Sequence, residues 1–122
     1  MTTIEHQDHP AVYAREVSLT LAEPRTGSDW ERGLTAFLAG LVGSLRQADC
    51  LLIGHIKGVL ETSDDSGLFF SLTTFQGRPR LKGQLATAST HGHLTLNVIV
   101  YGVETSVLES AVNEGLARQF GI

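Results

Sequence analysis

The chain has 122 residues, 42% of them hydrophobic and 18% charged, which is typical of one folded domain rather than of a disordered segment. Its formal net charge of −4 disfavours a general nucleic-acid binder, so we expect no nucleic-acid partner. No apolar run approaches the roughly 18 residues of a membrane span, and no secretory signal opens the chain, so no membrane association is expected. The single cysteine, Cys50, fits a reducing compartment and hence a cytoplasmic location.

The first part of the chain predicts a leader, a strand and a helix. Residues 1–10 are polar, and we expect a flexible leader there, followed by one domain over residues 11–122. Apolar and polar residues alternate over Val12–Ala22, which predicts a half-buried strand, and Glu23–Gly27 has turn chemistry. Ser28 and Glu31 form a candidate capping box for a helix. Spacings of three and four predict its buried stripe, which consists of Trp30, Leu34, Phe37, Leu38, Leu41, Val42 and Leu45.

Four further segments have the pattern of strands, and the chain closes with a second helix. Cys50–Glu61 alternates, with Leu52, Gly54, Ile56, Gly58 and Leu60 on one face and Leu51, Ile53, His55, Lys57, Val59 and Glu61 on the other. The next three strands are predicted over Leu68–Phe75, Arg80–Leu85 and His93–Tyr101, separated by turns at Thr62–Gly67, Gln76–Pro79 and Thr87–Gly92. Ser106 and Glu109 form a second candidate capping box, and Gly121 is placed to end that helix.

This order of elements predicts an α+β fold. We expect a two-layer sandwich in which two helices cover one face of an antiparallel sheet of four or five strands. Short connections favour pairing between neighbours, so the last four strands are predicted to form a meander. The opposite face would be exposed or covered by a second copy, and we expect a homodimer, formed through the sheet or through the glycine-marked first helix.

The sheet face opposite the helices carries the candidate binding site. One strand parity collects nine side chains in an otherwise acidic chain, namely His55, Lys57, Arg80, Lys82, Gln84, His93, Thr95, Asn97 and Tyr101. Cationic and amide side chains recognise anions, so this face predicts a site for a protein or a small acidic partner. The same pattern also fits a solvated face whose charges protect the sheet from aggregation.

Catalysis is the alternative function. The sequence contains no catalytic constellation and no phosphate-binding loop, so we expect a non-enzymatic accessory or binding domain without a cofactor. His91 and His93 would nevertheless project from one side of a strand, and His55 could supply a third ligand, as in a metal-dependent enzyme or sensor. Cys50 and His55 have opposite strand parity, so they cannot form a thiolate–imidazole pair within their strand.

Two resemblances accompany these patterns. The stretch Leu94–Val103, followed by a helix ending at Gly121, resembles the strand–Tyr–Gly–helix segment of the bacterial alkaline-shock protein family. The order of elements is similar to the βαβββα plan of ribosome hibernation factors, which is an analogy of fold alone. Neither resemblance implies a site residue, a cofactor or a partner for this chain.

Overall fold

The computed structural model describes residues 9–62 and 66–122. The elements are β1 (Pro10–Arg25), α1 (Gly27–Gln47), β2 (Leu52–Thr62), β3 (Gly67–Leu72), β4 (Arg80–Gln84), β5 (Ser89–Tyr101) and α2 (Thr105–Phe120). The strands form one antiparallel sheet, and the helices pack on it around a single hydrophobic core. The predicted α+β two-layer sandwich is therefore confirmed. Among the described residues, no helix combines the length and the apolar character that crossing a bilayer requires.

Two predicted segments fall partly outside the described residues. Of the predicted leader, residues 1–10, only His9 and Pro10 are described, and Pro10 is already the first residue of β1. Of the predicted turn Thr62–Gly67, residues 63–65 lie outside the described part. The division into a leader and one domain remains a prediction.

The strand order is β1–β5–β2–β3–β4, so the predicted meander is wrong for β5. β5 pairs with β1 and β2 rather than with β4, its neighbour in sequence. The apolar face of this 13-residue strand is completely buried, at Leu94, Leu96, Val98 and Val100. A strand inside the sheet can be covered along its whole length, whereas the short, polar β4 is suited to an edge.

A β-bulge in β2 reverses the faces predicted for the start of that strand. Ile53 pairs with Val100 and His55 pairs with Ile99, so Gly54 is the extra residue. As a result Ile53 is 3% exposed and Leu52 is 56% exposed, the opposite of the prediction. From Ile56 onward the predicted alternation holds, because the bulge shifts the parity only once.

Both predicted N-terminal caps are wrong, whereas the predicted C-terminal stop is confirmed. β1 continues to Arg25, so Thr26 caps α1 in place of Ser28, and its Oγ1 accepts a hydrogen bond from the Asp29 N–H at 3.1 Å. α2 begins after Glu104, whose side chain makes no capping hydrogen bond, and Ser106 lies inside the helix. Gly121 ends α2 with a φ of 74°, a left-handed conformation that glycine adopts without strain.

The predicted stripe of α1 forms the centre of the core, except that Val42 is only partly buried. Trp30 is fully buried; its ring stacks on Phe120 of α2 at 5.9 Å, and its Nε1–H donates to the Ser89 carbonyl at 3.1 Å. The Arg25 guanidinium lies over both rings and donates to the Gln119 carbonyl at 3.0 Å. Trp30 therefore joins α1 to α2 and to β5.

Two helical glycines provide a matched test of the packing between α1 and α2. A Cβ at Gly40 would meet no atom within 4 Å, whereas a Cβ at Gly115 would lie 2.8 Å from Cδ1 of Phe37. Helix propensity favours alanine by about 1 kcal/mol at both positions. We expect Gly40→Ala to raise the free energy of unfolding by up to ~1 kcal/mol, and Gly115→Ala to lower it by ~1–3 kcal/mol. Urea unfolding followed by circular dichroism measures both, and stabilisation by both substitutions would contradict this packing.

Candidate functional site

All nine predicted site residues belong to the sheet face that the helices leave uncovered, which we call the open face. The strand register arranges this face in rows that cross the sheet. One row consists of Ala14, Asn97, Lys57, Ser71 and Arg80. The next row consists of Glu16, Thr95, Val59, Phe69 and Lys82, and the third of Ser18, His93, Glu61, Gly67 and Gln84. His55 and Tyr101 lie beyond the first row, near one end of the sheet.

The register separates eight of the nine predicted residues into three regions, and Gln84 lies outside them, opposite Gly67. The basic groove consists of Lys57, Phe69, Ser71, Arg80 and Lys82, with Thr95 and Asn97 beside it. The acidic corner consists of Glu16, Glu61 and His93. The apolar end consists of Val12, Leu52, Ile99 and Tyr101, next to His55. The predicted site is therefore three neighbouring regions of different chemistry.

The basic groove is a depression of about 760 Å³ over β2, β3 and β4, with Phe69 60% exposed within it. Lys57 and Arg80 occupy the outer two of three adjacent strands, so their Cα atoms are about 10 Å apart. None of the three cations forms an ion pair with a described residue, and no described carboxylate lines the groove. Positive charge is therefore concentrated around an exposed aromatic ring.

Phe69, Ser71 and Glu16 belong to the open face but are not among the predicted site residues. The strand that contains Phe69 and Ser71 has large apolar residues on both parities, which concealed its exposed side. The signal available for the exposed side was the polar Ser71, which has the same strand parity as Phe69 and lies opposite Lys57. Glu16 was missed because the predicted meander did not place β1 next to β5.

The acidic corner contains an exposed contact. His93 Nε2 lies 3.1 Å from Glu16 Oε1, with side chains 42% and 71% exposed, and Glu61 lies opposite His93 in the register. Exposed pairs of this kind contribute little to stability, about 0–1 kcal/mol. The corner therefore adds negative charge to the open face without anchoring the fold.

His55, His91 and His93 do not converge, so the three-histidine metal site is not formed. His93 is opposite Glu61, and Glu61 lies six positions after His55 in β2, a distance of about 20 Å along the strand. The His91 ring instead lies 2.8 Å from the Thr90 hydroxyl. Over residues 9–62 and 66–122, no group of three His, Cys, Asp or Glu side chains is arranged to hold a metal ion.

Cys50 is enclosed where β5 ends. Its thiol is buried and donates to the Tyr101 carbonyl, with Sγ 3.3 Å from the oxygen. Burial raises the pKa of the Cys50 thiol above its ordinary value. Because the thiolate is the nucleophile, a raised pKa keeps the side chain unreactive at neutral pH. Cys50 acts in the structure as a small apolar residue.

Comparison with known proteins gives a limited result. No protein-family model and no curated protein matches the chain. Matching solved structures include the Zn(II)-bound YjiA GTPase from E. coli, at 18% identity and a TM-score of 0.42. A Zn(II)-bound triple mutant of the YjiA GTPase matches at 19% identity and a TM-score of 0.44. Each match covers 85% of this chain and 29% of the other chain, and no site residue is assigned from either.

Two adjacent phenylalanines test the assignment of the two sheet faces. Phe69 is 60% exposed on the open face, and Phe70 is 3% exposed in the core. We expect Phe70→Ala to lower the free energy of unfolding by about 3–5 kcal/mol, and Phe69→Ala to change it by about 0.5 kcal/mol or less. Urea denaturation of both variants measures this difference. Equal losses would contradict the register of β3.

Proposed function

We propose that this chain is a non-enzymatic binding domain of the cytoplasm that forms a homodimer and binds an acidic protein segment in the basic groove. The observation that carries the proposal is the set of three cations around Phe69, in a chain whose net charge is −4. The lone, buried Cys50 supports the cytoplasmic location.

The chemistry of the basic groove favours a carboxylate-bearing partner. Lys57, Arg80 and Lys82 can donate charge-assisted hydrogen bonds, which are stronger than neutral ones. Asn97 and Thr95 add neutral polar groups at the rim, and the exposed ring of Phe69 offers an apolar contact between the cations. A segment with an apolar residue flanked by acidic residues complements all three features.

Neutralising two of the cations tests the acidic partner. We expect Lys57→Gln and Lys82→Gln each to weaken binding of a fluorescent peptide of glutamates around a central leucine by about tenfold, because each removes a charge-assisted contact. Arg118→Gln, an exposed position in the last turn of α2, is the matched control and should leave binding unchanged. Fluorescence anisotropy measures the affinities. Equal weakening by all three substitutions would show binding to the overall charge and contradict the proposal.

The same assay separates other partners. Tight binding of inorganic phosphate or free glutamate, without peptide binding, would replace the protein segment by a small acidic ligand. Binding of an RNA oligonucleotide with a steep salt dependence, without peptide binding, would replace it by nucleic acid.

The apolar end is the proposed contact between two copies of the chain. Val12 is 57% exposed and Leu52 is 56% exposed, and the register places Ile99 and Tyr101 between them. Exposed apolar residues grouped in this way are typical of an interaction surface. The basic groove lies to one side and would remain accessible in such a dimer.

Introducing charge at the apolar end tests the dimer. We expect light scattering to give twice the chain mass for the unaltered protein, and one chain mass for the double variant Val12→Glu, Leu52→Glu, because the buried charges would repel. Val107→Glu on α2, where the residue is 39% exposed, is the control and should remain dimeric. A single chain mass for the unaltered protein would contradict the proposed dimer. A dimer that dissociates only with the substitution Gly40→Leu would have its interface on α1 rather than at the apolar end.

A further inference from the structure

A second cavity lies on the helix side of the sheet, between α1 and the connection that joins β3 to β4. Its volume is about 640 Å³. Small-molecule sites typically measure about 300–1,000 Å³ and are mainly apolar. Leu38 and Leu72 are buried at this cleft, and the side chains of Val42, Phe75 and Leu81 extend its apolar lining. The cleft therefore has the size and the character of a ligand site.

The position of Val42 shows how α1 contributes to this cleft. Val42 belongs to the apolar stripe predicted for the core, yet it is only partly buried. Ala39 and Gly43 line the same cavity, and a Cβ at Gly43 would meet no atom within 4 Å. Small side chains on this part of α1 keep the cleft open, and part of the helix's apolar stripe faces it.

The charges at the cleft have one sign. Among the described residues that line it, Arg46 and Arg78 are the only ionisable ones. Arg46 is held in place, because its Nη2 donates to the Phe75 carbonyl at 3.1 Å and its guanidinium lies 5.5 Å from the centre of the Phe75 ring. A guanidinium has five N–H donors, so further donors remain for a ligand. Arg78 forms no ion pair with a described residue.

We infer that this cleft binds an aliphatic carboxylate, with the alkyl chain against the partly exposed Val42, Phe75 and Leu81 and the carboxylate at Arg46 and Arg78. The positive charge of the two arginines decides which class of alkyl ligand the cleft binds. A carboxylate can accept paired hydrogen bonds from a guanidinium, whereas an alkyl alcohol carries no negative charge and an alkylammonium is repelled. This site is separate from the basic groove, because it lies on the opposite face of the sheet and includes none of Lys57, Arg80 and Lys82.

Paired ligands test the charge selection. In isothermal titration calorimetry, below the concentration at which micelles form, we expect octanoate to bind about tenfold or more tightly than 1-octanol, and acetate not to bind measurably. Arg78→Gln should reduce the preference for octanoate over 1-octanol, because only Arg46 then remains to bind the carboxylate, and should leave the affinity for octanol unchanged. Equal affinities of octanoate and octanol for the unaltered protein would overturn the inference.

Paired substitutions test the location. Gly43→Leu fills the cleft and should abolish octanoate binding. Gly40→Leu is on the same helix but outside the cleft, and it should leave octanoate binding unchanged. The two positions are matched, because a Cβ at either glycine would meet no atom within 4 Å. Ala39→Leu fills the cleft from a second position and serves if Gly43→Leu does not fold. Octanoate binding that survives the filling substitutions, or that is lost with Lys57→Gln and Lys82→Gln, would place the site elsewhere and overturn the inference.

Discussion

The pairing of β5 with β1 on one side and β2 on the other organises both faces of the sheet. Towards the helices, the alternate residues Leu94 to Val100 are buried and supply the middle of the core. Towards the open face, the intervening residues place Asn97 beside Lys57 and His93 beside Glu16. The core and the candidate site therefore depend on the same set of strand hydrogen bonds, so a change in the position of β5 would alter both.

The open face shows how an acidic chain can carry a basic site. Glu16, Glu61 and His93 are grouped towards one side of the sheet, while Lys57, Arg80 and Lys82 surround Phe69 over β2 to β4. Screening in physiological salt acts over about 8 Å, which is shorter than the width of several strands. The electrostatic potential at the groove therefore depends on the nearby charges more than on the net charge of −4. The segment from β3 to β4 contributes to both cavities, because Arg80 and Lys82 line the groove while Phe75 and Arg78 line the cleft.

The correct predictions concern patterns within one segment. The stripe of α1 was predictable because helical periodicity brings Trp30, Leu34 and Leu38 to one side whatever surrounds the helix. The cap of α1 was not predictable, because the end of β1 at Arg25 decides where the helix can begin, and β1 is held to that length by pairing of Arg25 with Ser89. The site residues were predictable as members of one face, but Phe69 and Glu16 were not, since their exposure depends on neighbouring strands.

The sequence by itself determined which side chains share a face within each regular stretch of strand, because alternation follows from the covalent geometry of the backbone, but it did not reveal the bulge at Gly54 that reverses the faces at the start of β2. It also determined the apolar stripe of α1 and the glycine stop at Gly121, both of which are local properties. Only the tertiary structure decided which residues are neighbours across the sheet. Glu16 and His93 are 77 positions apart in the chain and meet because β5 lies beside β1. That placement puts β5 inside the sheet, where the helices can cover its whole apolar face, and no short segment of the sequence records it.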